Sequence, residues 1–494
     1  MTSDENRRKS SRQGRRVRAI LFRLGAVLTG LLLLALVELA LRLFVPAPAI
    51  NLEDPFVSFK GPSPLFVPDA TGTRFETAEE RLTAFRPQSF GATKGPETLR
   101  VFCLGGSTVQ GRPYSVETSF TTWLELNLRA ARPGADSEVI NCGGISYATY
   151  RLVPIMQELL EHEPDLFIIY TGHNEFLEDR TYEHLKKKPR VLMQMHRTML
   201  KLRIYCLAHQ LLSHHRSQRT QAGRPSKTIL PPEVQAKLDF QEGLKSYHRD
   251  EAWRNGTIEH FHHNLETMVK ASRRAGVPII LVNPVSNLKD CPPFKSEHGS
   301  NLSESEIQRV VELREEAGKL DWSNTYGKIG LLEQAAAIDN QHAGLLFLLG
   351  KCNSHIGRYS EAKKWFVMAK EEDVCPLRIL EPMHKRIRDI AGRYHIPLVD
   401  VKMLIEQRTT DGIPGDEWLL DQVHPSITGH RLIADALYEV MENNGMVRTP
   451  AGWRAGRDAL CKYHLSSLNE AYYARGAARL KRLGEWSRGR IPTE

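Results

Sequence analysis

Metal and redox signatures are missing from this 494-residue chain. Its seven cysteines are scattered and include no CxxC pair, so neither a zinc ribbon nor a thioredoxin motif is present. Their odd number leaves at least one thiol unpaired within a monomer. Cys103 and Cys142 end two candidate neighbouring strands and are the one pair to check for a disulfide, with two buried thiols as the expected state. His260, His262 and His263 lie on a helical stretch with no cysteine or carboxylate completing a ligand motif, which reads as a surface patch rather than a zinc site. No nucleic-acid recognition motif appears. The net charge of +9 does not argue for one, because Arg7, Arg8, Lys9, Arg12, Arg15, Arg16 and Arg18 crowd the amino end. With 41% hydrophobic and 25% charged residues, the composition is that of a globular protein with a sizeable core.

An apolar run from Ala19 to Val37, broken only by Arg23, follows the basic residues. It is about as long as a bilayer-crossing helix, and the basic flank orients that end toward the cytoplasm. The expectation is a cytoplasmic tail over 1–18 and a signal-anchor helix over 19–45. The chain would then be a single-pass membrane protein with its remainder extracytoplasmic. A cleaved signal peptide ending at Ala47-Pro48-Ala49 is the alternative, although Glu38 and Arg42 separate that site from the apolar run. A core helix is a third reading, but no amphipathic stripe is visible.

Residues 46–96 are rich in Pro, Gly and Thr and read as a linker. Organised structure is expected from Thr98 onward. Short apolar runs at 99–104, 138–141, 165–170, 278–282 and 397–401 read as buried strands. Helical stretches alternate with them, which implies crossover connections and a parallel sheet. Two insertions interrupt the pattern, at 178–255 and 303–374. In the second, Leu346, Leu349, Gly350, Gly357, Tyr359, Ala362, Phe366 and Ala369 match the spacing of a tetratricopeptide repeat, with a weaker echo about 34 residues earlier. One and a half repeats cannot bury a core alone. They read as a structural hairpin packed on the sheet domain, with a protein-binding groove as the alternative. Residues 446–494 form a basic helical extension with no assignable role.

Four polar blocks follow strand ends or sit on a late loop, where parallel sheets gather their chemistry. Ser107 follows a strand and Gly105-Gly106, a setting for a sharply turned, exposed hydroxyl, or for a plain helix cap. Asn141-Cys142-Gly143-Gly144-Ile145-Ser146 closes the second strand. Gly172-His173-Asn174-Glu175 closes the third and offers a side-chain amide, or forms a polar turn. Asp421-Gln422-Val423-His424 sets a carboxylate three residues before an imidazole it could orient; a capping aspartate beside a surface histidine is the bland alternative.

In this order the four blocks resemble those of the SGNH/GDSL hydrolase family, over roughly residues 97–177, 258–284 and 376–443. The resemblance implies a flavodoxin-like three-layer α/β/α fold with a parallel sheet, here carrying helical insertions, over a domain of residues 97–445. It implies Ser107 as nucleophile, His424 as base and Asp421 as its orienting partner. The oxyanion donors would be the amide of Ser107, the side chain of Asn174 and a second-block amide, with Gly144 and Ser146 as candidates. His173 and Glu175 are further candidates for reading the substrate. The family's serine block reads Gly-Asp-Ser, whereas Gly106 precedes Ser107 here. The implied activity is ester hydrolysis on an acyl lipid or O-acylated glycan, with no metal or cofactor. Transfer of the acyl group to an envelope polysaccharide is the rival chemistry. A non-catalytic tethered scaffold using the helical repeats is the rival from another class.

Overall fold

The computed structural model describes residues 25, 29–30, 32–33, 35–42, 63–178, 233–234, 236–239, 243–448 and 450–487. The chain divides into two compact units, one of Met1–Lys60 with Tyr182–Thr228 and one of Gly61–Thr181 with Ile229–Glu494. In the first unit the described positions between 25 and 42 are helical. The expected membrane-spanning helix, and the single-pass placement built on it, are overturned. Among the described residues no helix is long and apolar enough to cross a membrane. The apolar run ends at Glu38, which stays within the helical stretch and whose carboxylate pairs with Arg42 at 2.8 Å. Residues 1–24 and 43–45, with the basic tail, lie outside the described residues.

The second unit is built on two sheets. Three short antiparallel strands, β1 (Phe66–Pro68), β2 (Arg74–Thr77) and β3 (Ser89–Gly91), form the first. Five parallel strands form the second: β4 (Leu99–Gly105), β5 (Ser137–Gly143), β6 (Leu166–Tyr170), β7 (Ile279–Asn283) and β8 (Leu398–Asp400). Their spatial order is β5-β4-β6-β7-β8, the doubly wound order of a flavodoxin-like sheet. Its switch point lies between β4 and β6.

Both faces of this sheet are covered, so its strands read as continuous apolar runs rather than alternating ones. Alternation nevertheless sorts the side chains. Phe102, Leu104, Ile140, Cys142, Phe167, Ile169 and Leu281 point into one core, Val101, Cys103, Val139, Ile168, Ile280 and Val282 into the other. After β4 comes the single turn α1 (Ser107–Gln110), then α2 (Phe120–Ala131), α3 (Thr149–Leu159) and α4 (Glu251–Ala275). Asp250 caps α4 by accepting from the Trp253 amide at 2.9 Å, so this helix starts earlier than residue 258, where its periodicity becomes legible.

The 303–374 insertion holds four helices, α5 (Glu304–Lys319), α6 (Thr325–Ile338), α7 (Ala343–His355) and α8 (Tyr359–Glu371). They bury their own core of Val310, Leu313, Ile329, Leu332, Leu346 and Leu349. A separate seam joins Ala362 and Phe366 to Leu288 and Ile413. The insertion is therefore fuller than the one and a half repeats visible in the sequence. Then follow α9 (Glu381–Tyr394), α10 (Val401–Glu406), α11 (Ile427–Asn443), α12 (Trp453–Ser467) and α13 (Glu470–Ser487). Helices α3, α4 and α9 line the first core, and α2, α11 and α12 the second. The result is a three-layer α/β/α fold with added helices.

Residues 63–96 are not the expected spacer. Phe66 meets Phe90 edge-on at 5.0 Å, Phe90 meets Phe102 of β4 at 5.4 Å, and both Phe66 and Phe90 are buried. Arg100, itself buried, donates to Glu138 at 2.7 Å and to the Gly91 carbonyl at 2.8 Å, pinning the small sheet to the large one.

Cys103 and Cys142 are free and buried. Cys103 is registered against Asn141, one residue short of Cys142, so the two thiols point to opposite faces and cannot meet.

The end of β4 is held close to β6. A Cβ on Gly105 would sit 2.1 Å from the Tyr170 carbonyl oxygen and 2.4 Å from Val109 Cγ2. Gly105→Ala is therefore expected to cost on the order of 3 kcal/mol of unfolding free energy by forcing two central strands apart. Urea denaturation checks this; a shift below about 1 kcal/mol would mean the strand ends are free to separate.

Candidate active site

Ser107 is the first residue of α1, just beyond β4, and Asn174 lies just beyond β6, so both stand at the switch point of the sheet. Gly111 closes α1 in the left-handed region at φ 90°, confining it to one turn. Gly172 has φ 135° and lets the chain turn away from β6 toward His173 and Asn174.

His424 arrives from the other end of the chain. Its loop is closed by an amide-to-carbonyl bond from Leu420 to His424 at 2.8 Å. Behind it, Ser426 caps α11 by accepting from the Gly429 amide at 3.1 Å. Asp421 Oδ1 accepts from the backbone amides of Val423 at 2.9 Å and His424 at 2.8 Å. Its Oδ2 lies 2.6 Å from His424 Nδ1, and His424 Nε2 lies 2.8 Å from Ser107 Oγ. Burial pushes the Asp421 carboxyl up, but His424 and the hydrogen bonds outweigh it and leave the group below its ordinary range. An ionised Asp421 can only accept, so Nδ1 carries the proton and donates. Nε2 of the neutral ring is then the acceptor, and the Ser107 hydroxyl donates to it.

Asn174 Nδ2 donates to the Tyr147 carbonyl at 3.1 Å, and an amide nitrogen has a second hydrogen to give. It packs so closely that a Cβ on Gly106 would lie 2.3 Å from Nδ2. That contact accounts for glycine before Ser107.

Within the second block, the Gly144 amide donates to the Gly105 carbonyl at 3.0 Å and the Ile145 amide to the Ala84 carbonyl at 2.9 Å. Gly144 is thereby withdrawn as an oxyanion donor. Ser146 takes the left-handed conformation at φ 62° and lines the same cavity as Ser107 and Asn174.

His173 and Glu175 part company. His173 also lines the cavity, and its Nδ1 accepts from the Ile379 amide at 3.3 Å. Burial, with the positive charge of its neighbours, drives its pKa down to about 3, so the ring is neutral with its proton on Nε2. That buried N–H has no partner among the described residues. Glu175 faces away from the cavity: its carboxylate accepts from the Thr149 amide at 2.8 Å and the Thr149 hydroxyl at 2.9 Å, closing the amino end of α3. It is a helix anchor rather than a substrate reader. His260 also differs from expectation, being buried against the Tyr150 ring at 5.7 Å instead of lying in a surface patch. Among the described residues no three His, Cys, Asp or Glu side chains form a metal-binding group.

The cavity has a volume of about 460 Å³. Several of its lining residues were not singled out from the sequence: Arg112, and Arg479 and Arg482 of α13; Trp486 of the same helix, a packing candidate in the basic tail, lines it too. The carboxyl-terminal helix reaches the site because Tyr472 bonds Thr118 at 2.8 Å, Arg479 bonds the Tyr114 carbonyl at 2.6 Å and Trp486 bonds Asp239 at 2.7 Å. No local sequence signal announces those long-range contacts.

No protein-family model and no curated protein sequence matches the chain. Among solved structures, the chain is similar to a lipase/acylhydrolase from Enterococcus faecalis at 13% identity and a TM-score of 0.32, covering 72% of this chain and 100% of that one. It is similar to an acetylxylan esterase from Geobacillus stearothermophilus at 12% identity and a TM-score of 0.31, covering 71% of this chain and 96% of the other. A further acetyl xylan esterase aligns at 11% identity and a TM-score of 0.30, over 69% of this chain and 98% of that one. Likenesses this faint carry no weight for the chemistry.

Proposed function

We propose that the protein is a serine esterase of the SGNH type, a hydrolase that cleaves carboxylic ester bonds. One observation carries the reading: the unbroken hydrogen-bond chain from Ser107 through His424 to Asp421, opening on a cavity. A serine hydroxyl is a weak nucleophile until a base removes its proton. His424 Nε2 takes that proton as Ser107 Oγ attacks the ester carbonyl carbon, and the carbonyl electron pair moves onto oxygen. Asp421 keeps the ring in the accepting tautomer and stabilises its cation. The oxyanion is received by the amides of Ser107 and Ser146 and by Asn174 Nδ2. Collapse breaks the bond to the alkoxide, which leaves with the proton from His424. Water, deprotonated by the same ring, then releases the acid from Ser107.

The direct test is labelling of the full chain with a fluorophosphonate probe beside hydrolysis of short p-nitrophenyl esters. Covalent labelling together with turnover supports the reading. A folded protein that neither labels nor cleaves is not a serine esterase. Within this mechanism Asn174→Ala is expected to lower kcat by on the order of a hundredfold through loss of one oxyanion donor. Steady-state kinetics on the same ester checks this, and a fall of less than about threefold would remove Asn174 from the oxyanion site.

A further inference from the structure

The cavity that holds Ser107 and His424 is also lined by arginines that form no ion pair among the described residues. Arg112, five residues after Ser107, lines it with Arg479 and Arg482. Among the described residues Arg112 Nε is buried without a partner, and so is Arg86 Nε. An adjoining groove of about 310 Å³ shares Arg479 and adds Arg86, Arg475, Ser115, Glu117 and Tyr472. Among the described residues Arg479 donates to backbone carbonyls, of Pro113 at 3.4 Å and Tyr114 at 2.6 Å. The carboxylates on the cavity are Glu233 and Asp239. Asp239 is occupied by the Trp486 indole at 2.7 Å and the Ala236 amide at 3.1 Å, and neither forms an ion pair with these arginines.

Guanidiniums that line one cavity repel one another, and an unpaired charge in its partly desolvated wall is unfavourable. Burial lowers the Arg112 pKa to about 10, with Arg86, Arg479 and Arg482 adding repulsion. A bound anion relieves both costs. Planar guanidiniums suit carboxylates, which they grip with paired N–H bonds. Positive charge recurs from the cavity into the groove, so the ligand that fits bears more than one negative charge along its length. The groove is lined mostly by polar and charged side chains, with only Pro87 and Val116 as apolar exceptions; an alkyl chain would gain little there.

Building on the esterase reading, we propose that the substrate is an O-acylated acidic polysaccharide. Its carboxylates lie along Arg112, Arg479 and Arg482 and continue toward Arg86 and Arg475 while the ester reaches Ser107.

The full chain is given acetylated polygalacturonate and acetylated xylan of equal acetyl content, and acetate release is followed. A preference of at least about tenfold for the acidic polymer is expected, fading at about 0.5 M salt as the charges are screened. Arg112→Gln and Arg482→Gln should each erase most of that preference. Arg482 is exposed, so its loss of preference cannot be put down to misfolding. Equal release from both polymers, or preference untouched in both variants, overturns the proposal. Cleavage of phosphatidylglycerol vesicles with the same arginine dependence, and none of the acidic glycan, overturns it in favour of an anionic lipid. Binding is measured separately by calorimetry with Ser107→Ala protein and unesterified polygalacturonate. Salt-sensitive binding lost in Arg112→Gln supports the anionic site even if no ester is cleaved, in which case the esterase reading alone fails. Absence of binding counts against the anionic site however active the enzyme is.

Discussion

Ser107→Ala is expected to lower kcat for ester cleavage by on the order of a millionfold and to abolish fluorophosphonate labelling. The size follows from what the hydroxyl does. Without it no acyl-enzyme forms, and His424 has no nucleophile to deprotonate except a water without a defined position. The oxyanion donors and the cavity remain, so residual activity should still exceed the uncatalysed rate by roughly three orders of magnitude. The fold should hardly notice. Among the described residues the Ser107 side chain has one hydrogen bond, to His424 at 2.8 Å, and alanine suits the first turn of a helix. Thermal unfolding within about 1 kcal/mol of the parent, with labelling gone, separates a chemical role from a structural one. Retained labelling in the variant would show that another residue is the reactive nucleophile. Retained turnover without labelling would place the chemistry on a water and remove the covalent intermediate.

The parts of this site that could be read in the sequence are those fixed by local chemistry. Ser107, Asn174, Asp421 and His424 each follow a strand or precede a helix, in short blocks where glycine, proline or a carboxylate spacing has a stereochemical reason. The five sheet strands were legible because both faces are covered, which leaves runs such as 166–170 uniformly apolar. Other features depend on contacts far along the chain. The small sheet of residues 66–91 has strands of three or four residues, too short for a period to show, and its stability comes from Phe90 against Phe102. Glu175 looked like a site residue because it sits beside Asn174; its actual partner, Thr149, belongs to a different block. Gly144 and Ser146 were indistinguishable as amide donors until the Gly105 carbonyl was seen to take one of them. The arginine wall is the furthest case, since Arg112 and Arg479 are brought together only by the docking of α13. The amino-terminal run misled for a different reason: hydropathy registers the leucines, but among the described residues no helix is long and apolar enough to cross a membrane.

Asp421→Asn is expected to lower kcat by on the order of ten-thousandfold while leaving the fold almost unchanged. The two oxygens of Asp421 do different work. Oδ1 holds the loop through the amides of Val423 and His424, and Oδ2 receives the proton of His424 Nδ1. An asparagine can keep the first task with its carbonyl oxygen. Its NH2 then faces Nδ1 as a donor, and the ring must turn its lone pair that way. The proton moves to Nε2, which can no longer accept from Ser107. The nucleophile is present but unactivated, and the imidazolium that forms in the transition state has lost its counter-charge. Fluorophosphonate labelling should slow in step with kcat, because both need the same proton transfer. Asp421→Ala gives the contrast: it also deprives two buried amides of their acceptor, so about 1–3 kcal/mol of stability should go with the activity. If Asp421→Asn instead costs less than about tenfold, His424 is oriented by something other than Asp421, and the hydrogen-bond chain is not the source of the serine's reactivity.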